Sequence, residues 1–136
     1  MIVSFNHWMS GWIDWNIVLD SDGGPNHVGN FCGAPIMIDT ANGDVYYTTL
    51  YYILSQFSKT IRPGDVAVQA DKYLHELDDD ALHTSATLNN KGMLTVQILN
   101  TTKESIETQL QVGSQQAFVV VPANALQTLT FALAAE

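Results

Sequence analysis

At 136 residues, with 46% hydrophobic and 14% charged residues, the chain has room for one ordinary domain, or one small domain plus a piece of another, and a composition that buries a core rather than staying disordered. There are 5 Lys and Arg against 14 Asp and Glu, a formal charge of -9, which repels phosphate backbones and anionic lipid and so excludes nucleic acid and membrane surfaces from the expected partners. No apolar run approaches the roughly 20 residues of a membrane span, and Met1–Ile2–Val3–Ser4 lacks the basic and apolar regions of a signal peptide.

In chain order, the first segment with a clear pattern is Trp12 to Leu19. Ile13, Ile17 and Val18 are β-branched, and the run is short and mostly apolar, which predicts a strand buried on both faces as in a parallel sheet. Ser21–Asp22–Gly23–Gly24–Pro25–Asn26 is a dense cluster of breakers and therefore a loop. Cys32 is the sole cysteine, which leaves no intramolecular disulfide and no cysteine-cluster zinc site, and it reads as a small half-buried hydrophobe. Pro35–Asp39 and Val45–Tyr47 are two short strands around Asn42–Gly43, a pair that favours positive φ at both central turn positions. Leu50, Ile53, Leu54, Phe57 and Ile61 then recur at helical spacing. Lys59 and Arg62 fall in the last turn, and Pro63–Gly64 stops the helix.

After Gly64 the period becomes two. Leu94, Val96 and Ile98 alternate with Thr95 and Gln97; Ile106, Thr108 and Leu110 with Glu107, Gln109 and Gln111; Leu129, Phe131 and Leu133 with Thr128, Thr130 and Ala132. Turn signals at Asn89–Gly92, Gly113–Ser114 and Pro122–Asn124 separate them, so this part is expected to be an antiparallel β-sandwich. Asp78–Asp79–Asp80 reads as a solvated loop, because adjacent carboxylates without glycine spacing do not make a calcium loop. His7, His27, His75 and His83 have no partner at i,i+4, and neither a metal nor a cofactor is expected. Asn100–Thr101–Thr102 fits the glycosylation acceptor pattern, which has meaning only in a secreted eukaryotic chain.

A parallel-sheet strand needs neighbours on both sides and cover on both faces, and this chain holds no second βα unit to supply them. A whole (β/α)8 barrel takes about 250 residues, so the first part reads as the end of something larger.

Gly11–Trp12–Ile13–Asp14–Trp15–Asn16, then Gly23–Gly24–Pro25–Asn26 and Gly29–Asn30–Phe31, resembles the C-terminal part of glycoside hydrolase family 30, in its glucosylceramidase branch. Pro35–Asp39, Phe57–Ser58–Lys59 followed by Pro63–Gly64, and Val96–Asn100 continue the resemblance over nearly the whole chain. The implied fold is mostly β: residues 1–63 as a barrel remnant with the last strand, its Gly-rich active-site loop and the last helix, and residues 64–136 as the β-sandwich domain.

The implied activity of the parent enzyme is that of a retaining β-glycosidase acting on glucosylceramide or a related β-glucoside, with an acid/base and a nucleophile about 5 Å apart. The resemblance places both glutamates on earlier barrel strands. Glu76, Glu104, Glu107 and Glu136 all follow the helix and match neither motif, so the chain alone is expected to be inactive. It also implies that Trp15, Asn30 and Phe31 wall the sugar subsite. An indole packs on the C–H face of a pyranose, and an amide offers both donor and acceptor to a diol. Asp14 is expected behind the site, Trp12 as packing, His27 at the rim, and Tyr46, Tyr47, Tyr51 and Tyr52 as strand and helix packing. The other readings are a non-catalytic glycan-binding sandwich and a truncated product that works by pairing with a separate barrel chain or with itself. Family members are typically lysosomal or secreted, and the compartment of this one is left open.

Overall fold

A computed structural model of the chain describes residues 1–74 and 77–133; His75, Glu76 and Glu136 lie outside the described residues. By its internal contacts the chain divides into two compact units, Gly11–Thr60, and Met1–Ser10 together with the residues from Ile61 onward.

Within Gly11–Thr60, β1 (Val18–Asp20) pairs in parallel with β2 (Ile36–Asp39), which pairs antiparallel with β3 (Asp44–Tyr47); the sheet order is β1-β2-β3. Helix α2 (Thr49–Thr60) follows. Its start is tied down by Thr48, whose hydroxyl donates to the carbonyls of Ala34 (3.0 Å) and Pro35 (3.1 Å). The expected apolar stripe lies on its less exposed side, with Phe57 buried and Leu50 and Leu54 half-buried, though Ile53 is exposed.

Two local expectations change. The strand expected over Trp12–Leu19 is confined to Val18–Asp20, and Trp12–Ile17 has no regular secondary structure. Asn16 sits at φ 60°, the left-handed region, which ends any extended run before β1. The β2–β3 turn spans Thr40 to Gly43, since Asp39 is opposite Asp44. Gly43, at φ 77°, is the left-handed residue, and Asn42 is not a second one. Asp39 organises the loop: its carboxylate accepts from the Ala41 N–H at 2.9 Å, the Asn42 N–H at 3.4 Å and the Asn42 side-chain amide at 2.8 Å. Those donors favour the charged form. The Ala41 N–H foremost, then the Asn42 side chain, hold the Asp39 carboxyl below its ordinary value of 3.8.

The other unit is the sandwich. Short helix α1 (Ile2–Asn6) packs on β5 (Leu82–Leu88), and the Asn6 amide donates to the Thr84 carbonyl at 2.7 Å. One antiparallel sheet has the order β4 (Val66–Val68), β5, β6 (Met93–Asn100), β9 (Leu126–Ala132); the other is the hairpin of β7 (Ile106–Val112) and β8 (Gln115–Val121). Leu82, Ala86, Leu94, Val96, Ile98 and Val121 form the buried cluster, with Ile106, Leu110, Val119, Leu129 and Phe131 packed around it from both sheets. At about 25 cal/mol per Å² of buried apolar surface, this cluster is the main driving force for folding of the unit.

Alternation predicts the side of each residue in β6 but not its exposure. Thr95 and Gln97 point away from the apolar cluster and are still buried, because β6 is a central strand covered on both faces. The cost of burying Gln97 is offset by hydrogen bonds such as Ser85 Oγ to Gln97 Oε1 at 3.1 Å. Asp78, Asp79 and Asp80 are exposed in a loop, which Lys72 crosses to donate to the carbonyls of Asp79 and, at 3.0 Å, Leu82.

Asn100, the first residue of the sequon, is 0% exposed. Its side-chain amide donates to the carbonyls of Glu104 (2.8 Å), Val121 (3.1 Å) and Pro122 (3.0 Å), while its Oδ1 accepts from the N–H (2.9 Å) and hydroxyl (2.8 Å) of Thr102. The nitrogen a glycan would occupy is thus spent on the loop between β6 and β7, the end of β8 and the residue that follows it. The folded chain is closed to glycosylation at this position.

Three outcomes follow from this network and from the Asp39 turn. Asn100→Ala will lower stability by about 3 kcal/mol in urea unfolding, because several buried backbone groups lose their partner together. Asn100→Asp will cost more, since a carboxylate would face three carbonyl oxygens. For Asp39, the lowered pKa means its contribution is complete above the unfolded value near 3.8 and is lost as pH falls through the lower folded value. Unfolding midpoints measured down that acid range will fall less steeply in Asp39→Asn than in the native chain.

Candidate functional site

The three candidate residues lie in the Gly11–Thr60 unit, and all are exposed, Trp15 at 73% and Phe31 at 66%. Trp15 stands in the irregular run before β1. Its own N–H donates to Asp14 Oδ1 at 2.8 Å, so the Asp14 carboxylate shapes the backbone there rather than reaching out as a free acid.

Asn30 and Phe31 stand on the loop between β1 and β2, which is folded back on itself. Asp20, the last residue of β1, begins the fold. Its N–H donates to the Gly24 carbonyl at 2.7 Å, and its Oδ1 accepts from the N–H of Gly24 at 2.6 Å and of Asp22 at 3.0 Å. The Gly23 N–H donates to the Asp20 carbonyl at 3.0 Å, and Gly24–Pro25 is a cis peptide. Val28 (φ 58°) and Gly29 (φ 71°) then turn the chain through two left-handed residues. The Asn30 N–H donates to the His27 carbonyl at 3.4 Å and the Phe31 N–H to the Gly29 carbonyl at 3.1 Å. His27 is exposed in the same loop.

The link between the two segments runs through the residues next to the candidates. Asn16, which follows Trp15, places its amide 3.8 Å from the Sγ of Cys32, which follows Phe31. Among the described residues, no hydrogen bond or ring contact joins Trp15, Asn30 and Phe31 to one another. Asn16, Asp20, Gly23 and Cys32 were not singled out from the sequence as site residues. Gly23 shows in the sequence only as one residue of a breaker cluster, and the parts played by Asn16, Asp20 and Cys32 become visible once the backbone is folded.

Trp12 is 43% exposed, so its expected packing role is only partly satisfied within the unit. Tyr47 stacks at a tilt on Tyr51 (4.5 Å), and Tyr51 meets Tyr52 edge-on (5.5 Å), as packing residues do, although Tyr46, Tyr47 and Tyr52 are exposed. Glu104 and Glu107 belong to the sandwich unit. Among the described residues there is no group of three or more His, Cys, Asp and Glu placed to hold a metal, and no helix is long and apolar enough to cross a membrane. What the arrangement offers chemically is the exposed aromatic faces of Trp15, before β1, and Phe31, on the β1–β2 loop, with the Asn30 carboxamide beside Phe31.

Residues 1–61 match the Glycosyl hydrolase family 30 TIM-barrel domain, and residues 66–129 match the Glycosyl hydrolase family 30 beta sandwich domain. The lysosomal acid glucosylceramidase of Mus musculus is 34% identical over 106 residues, which are 78% of this chain and 20% of that protein. Among solved structures, SrfJ from Salmonella typhimurium superposes with a TM-score of 0.90 at 28% identity, over 98% of this chain and 29% of that one. An endo-β1,6-glucanase superposes with a TM-score of 0.86 at 25% identity, over 97% of this chain and 29% of that one. The chain spans about a fifth of the length of the curated relatives it matches.

Proposed function

The chain belongs to glycosyl hydrolase family 30, matching its C-terminal part and its glucosylceramidase-like members, and from that premise we propose that it is the non-cutting part of a retaining β-glycoside hydrolase. In this reading residues 1–63 are the end of the barrel and residues 64–136 the accessory sandwich, and Trp15, Asn30 and Phe31 form one wall of the sugar subsite. The parent substrate is a β-glucoside, with glucosylceramide favoured over a β-1,6-glucan because the matched glucosylceramidases are nearer in sequence than the matched endo-1,6-β-glucanases, at 33–37% identity against 28%.

Retaining hydrolysis needs one carboxyl group to protonate the leaving oxygen and a second, about 5 Å away, to attack the anomeric carbon. Neither role falls to this chain's residues. Asp14 and Asp20 are engaged with backbone N–H groups of their own loops. What the chain does is orient: Trp15 and Phe31 present apolar faces to the C–H face of the ring, and Asn30 brackets hydroxyls with a donor and an acceptor.

The observation that carries the reading is the conjunction of an exposed Trp15, Asn30 and Phe31 with a parallel strand whose second edge is unpaired among the described residues. β1 pairs only with β2, and Ile13 (98%) and Ile17 (73%) beside it face solvent. A parallel strand ordinarily sits inside a covered sheet, so this edge fits a neighbouring barrel strand carried by another chain or chain segment.

The test is complementation. The purified chain alone will show no turnover of a fluorogenic β-glucoside. Mixing it with a polypeptide carrying the preceding barrel strands of a family 30 glucosylceramidase will produce turnover, and Trp15→Ala will reduce that turnover at least about tenfold by loss of substrate positioning. Hydrolysis by the chain alone, proportional to its concentration and retained through repurification, would sink the proposal.

A further inference from the structure

We propose that Gly23 is a positioning residue for the sugar wall, setting where Asn30 and Phe31 stand; this rests on the sugar-subsite reading above. Gly23 is buried at φ 83°. A Cβ added there would lie 2.7 Å from the Cys32 carbonyl oxygen, 2.9 Å from the Cys32 nitrogen and 3.4 Å from the Phe31 Cβ. The first two atoms are backbone, which cannot rotate aside as the tip of a long side chain can. One of the two facing segments therefore has to move.

The Gly23 side is the one held. Asp20 fastens it three times: from its carbonyl to the Gly23 N–H (3.0 Å), from its carboxylate to the Gly24 N–H (2.6 Å), and from its N–H to the Gly24 carbonyl (2.7 Å). Asp20 is itself in register with Ile38 of β2, and the next residue, Ser21, donates to the Ile38 carbonyl at 3.0 Å. Phe31 and Cys32 have weaker ties, so the displacement passes to them. From Cys32 it passes on, through the 3.8 Å contact of its sulfur with the Asn16 amide, to the residue beside Trp15. A single added methyl group thus disturbs all three proposed sugar contacts, though of the three it meets only Phe31 directly.

Gly43 supplies the control. It lies in the same unit at φ 77°, and nothing is within 4 Å of the Cβ position, so Gly43→Ala carries the left-handed backbone strain without the collision. The experiment records the NMR signals of the Trp15 indole N–H and the Asn30 side-chain amide in the native chain, Gly23→Ala and Gly43→Ala, then titrates each with methyl β-D-glucopyranoside while following Trp fluorescence.

Positioning predicts that both signals shift in Gly23→Ala alone, and that its glucoside affinity falls by about tenfold while that of Gly43→Ala holds. Unmoved signals in Gly23→Ala, or equal loss of affinity in both variants, overturn the proposal while the native response leaves the sugar reading intact. A native chain with no saturable glucoside response, beside a Gly23→Ala whose signals do shift, overturns the sugar reading and the positioning role with it. Should Gly23→Ala fail to fold, Asp20→Asn is the second variant. It keeps the volume of Asp20 but weakens its hold on the Gly24 N–H, and the positioning role predicts the same shifts and loss of affinity in smaller measure.

Discussion

The close approach of the Gly23 position to the Cys32 backbone is the constraint on which the geometry of the β1–β2 loop rests. It fixes the residue type, because only glycine both adopts φ 83° freely and leaves no Cβ in the gap. It also explains why the adjacent side chain is Asp20. A tight reversal leaves N–H groups pointing inward with no strand or helix to accept them, and a carboxylate at the end of β1 can take two at once. A charged acceptor that shapes its own loop is a poor candidate for acid chemistry and a good one for preorganisation, which is the service a sugar wall needs.

The sandwich solves its connections differently. Its strands are long enough to carry their own ladders and its core is apolar, so the weak point is where chain segments cross at the end of β6 and β8. Asn100 is placed there as a buried cross-brace. An amide suits this place because both its donors and its acceptor are matched; an apolar residue of similar size would strand several carbonyls, and a charged one would face like dipoles. The same three residues that spell a glycosylation signal in the sequence spell a turn in the structure, and the turn has taken the atom that glycosylation would need.

How much of this was legible beforehand depends on the range of the forces involved. The period of two gave β6, β7 and β9 and the turns between them, because alternation is a local consequence of a sheet with one apolar face. The helix was legible for the same local reason, although it ends at Thr60, so Ile61 and Arg62 lie beyond its last turn and the Pro63–Gly64 stop comes after its end. The Gly11–Asn16 and Gly23–Phe31 motifs pointed to the family and to the loop. What stayed hidden was set by contacts distant in sequence. The β-branched run at Ile13 and Ile17 reads as strand, yet Asn16 turns left-handed beside Cys32. Thr95 and Gln97 read as solvent-facing, yet their strand is central and covered twice. Asn42–Gly43 reads as a two-residue turn, yet Asp39 captures the N–H groups that follow it and stabilises a wider loop. In each case a single side chain or neighbouring strand outweighs a propensity of a few tenths of a kcal/mol.

The two units also differ in what they leave unsatisfied, and that difference bears on the proposed role. The sandwich turns Glu107, Gln109 and Gln111 of β7 outward and keeps the intervening residues half-buried, while its exposed apolar residues, such as Phe118 and Val66, are scattered over separate strands. The Gly11–Thr60 unit instead exposes Trp12, Ile13, Trp15, Ile17, Val28 and Phe31 within about twenty residues of sequence, and among the described residues its sheet ends on a parallel strand with one edge unpaired. Apolar surface concentrated this way is a mark of a face meant to be covered. On the proposed reading a sugar would account for only part of it, since Ile13 and Ile17 have no polar tip and no use for hydroxyls. The division is chemically sensible if the aromatic and amide residues meet substrate while the aliphatic ones meet the neighbouring strand. On that reading substrate wall and docking edge are one continuous segment, and whatever seats against Ile13 and Ile17 also decides how firmly Trp15 is held.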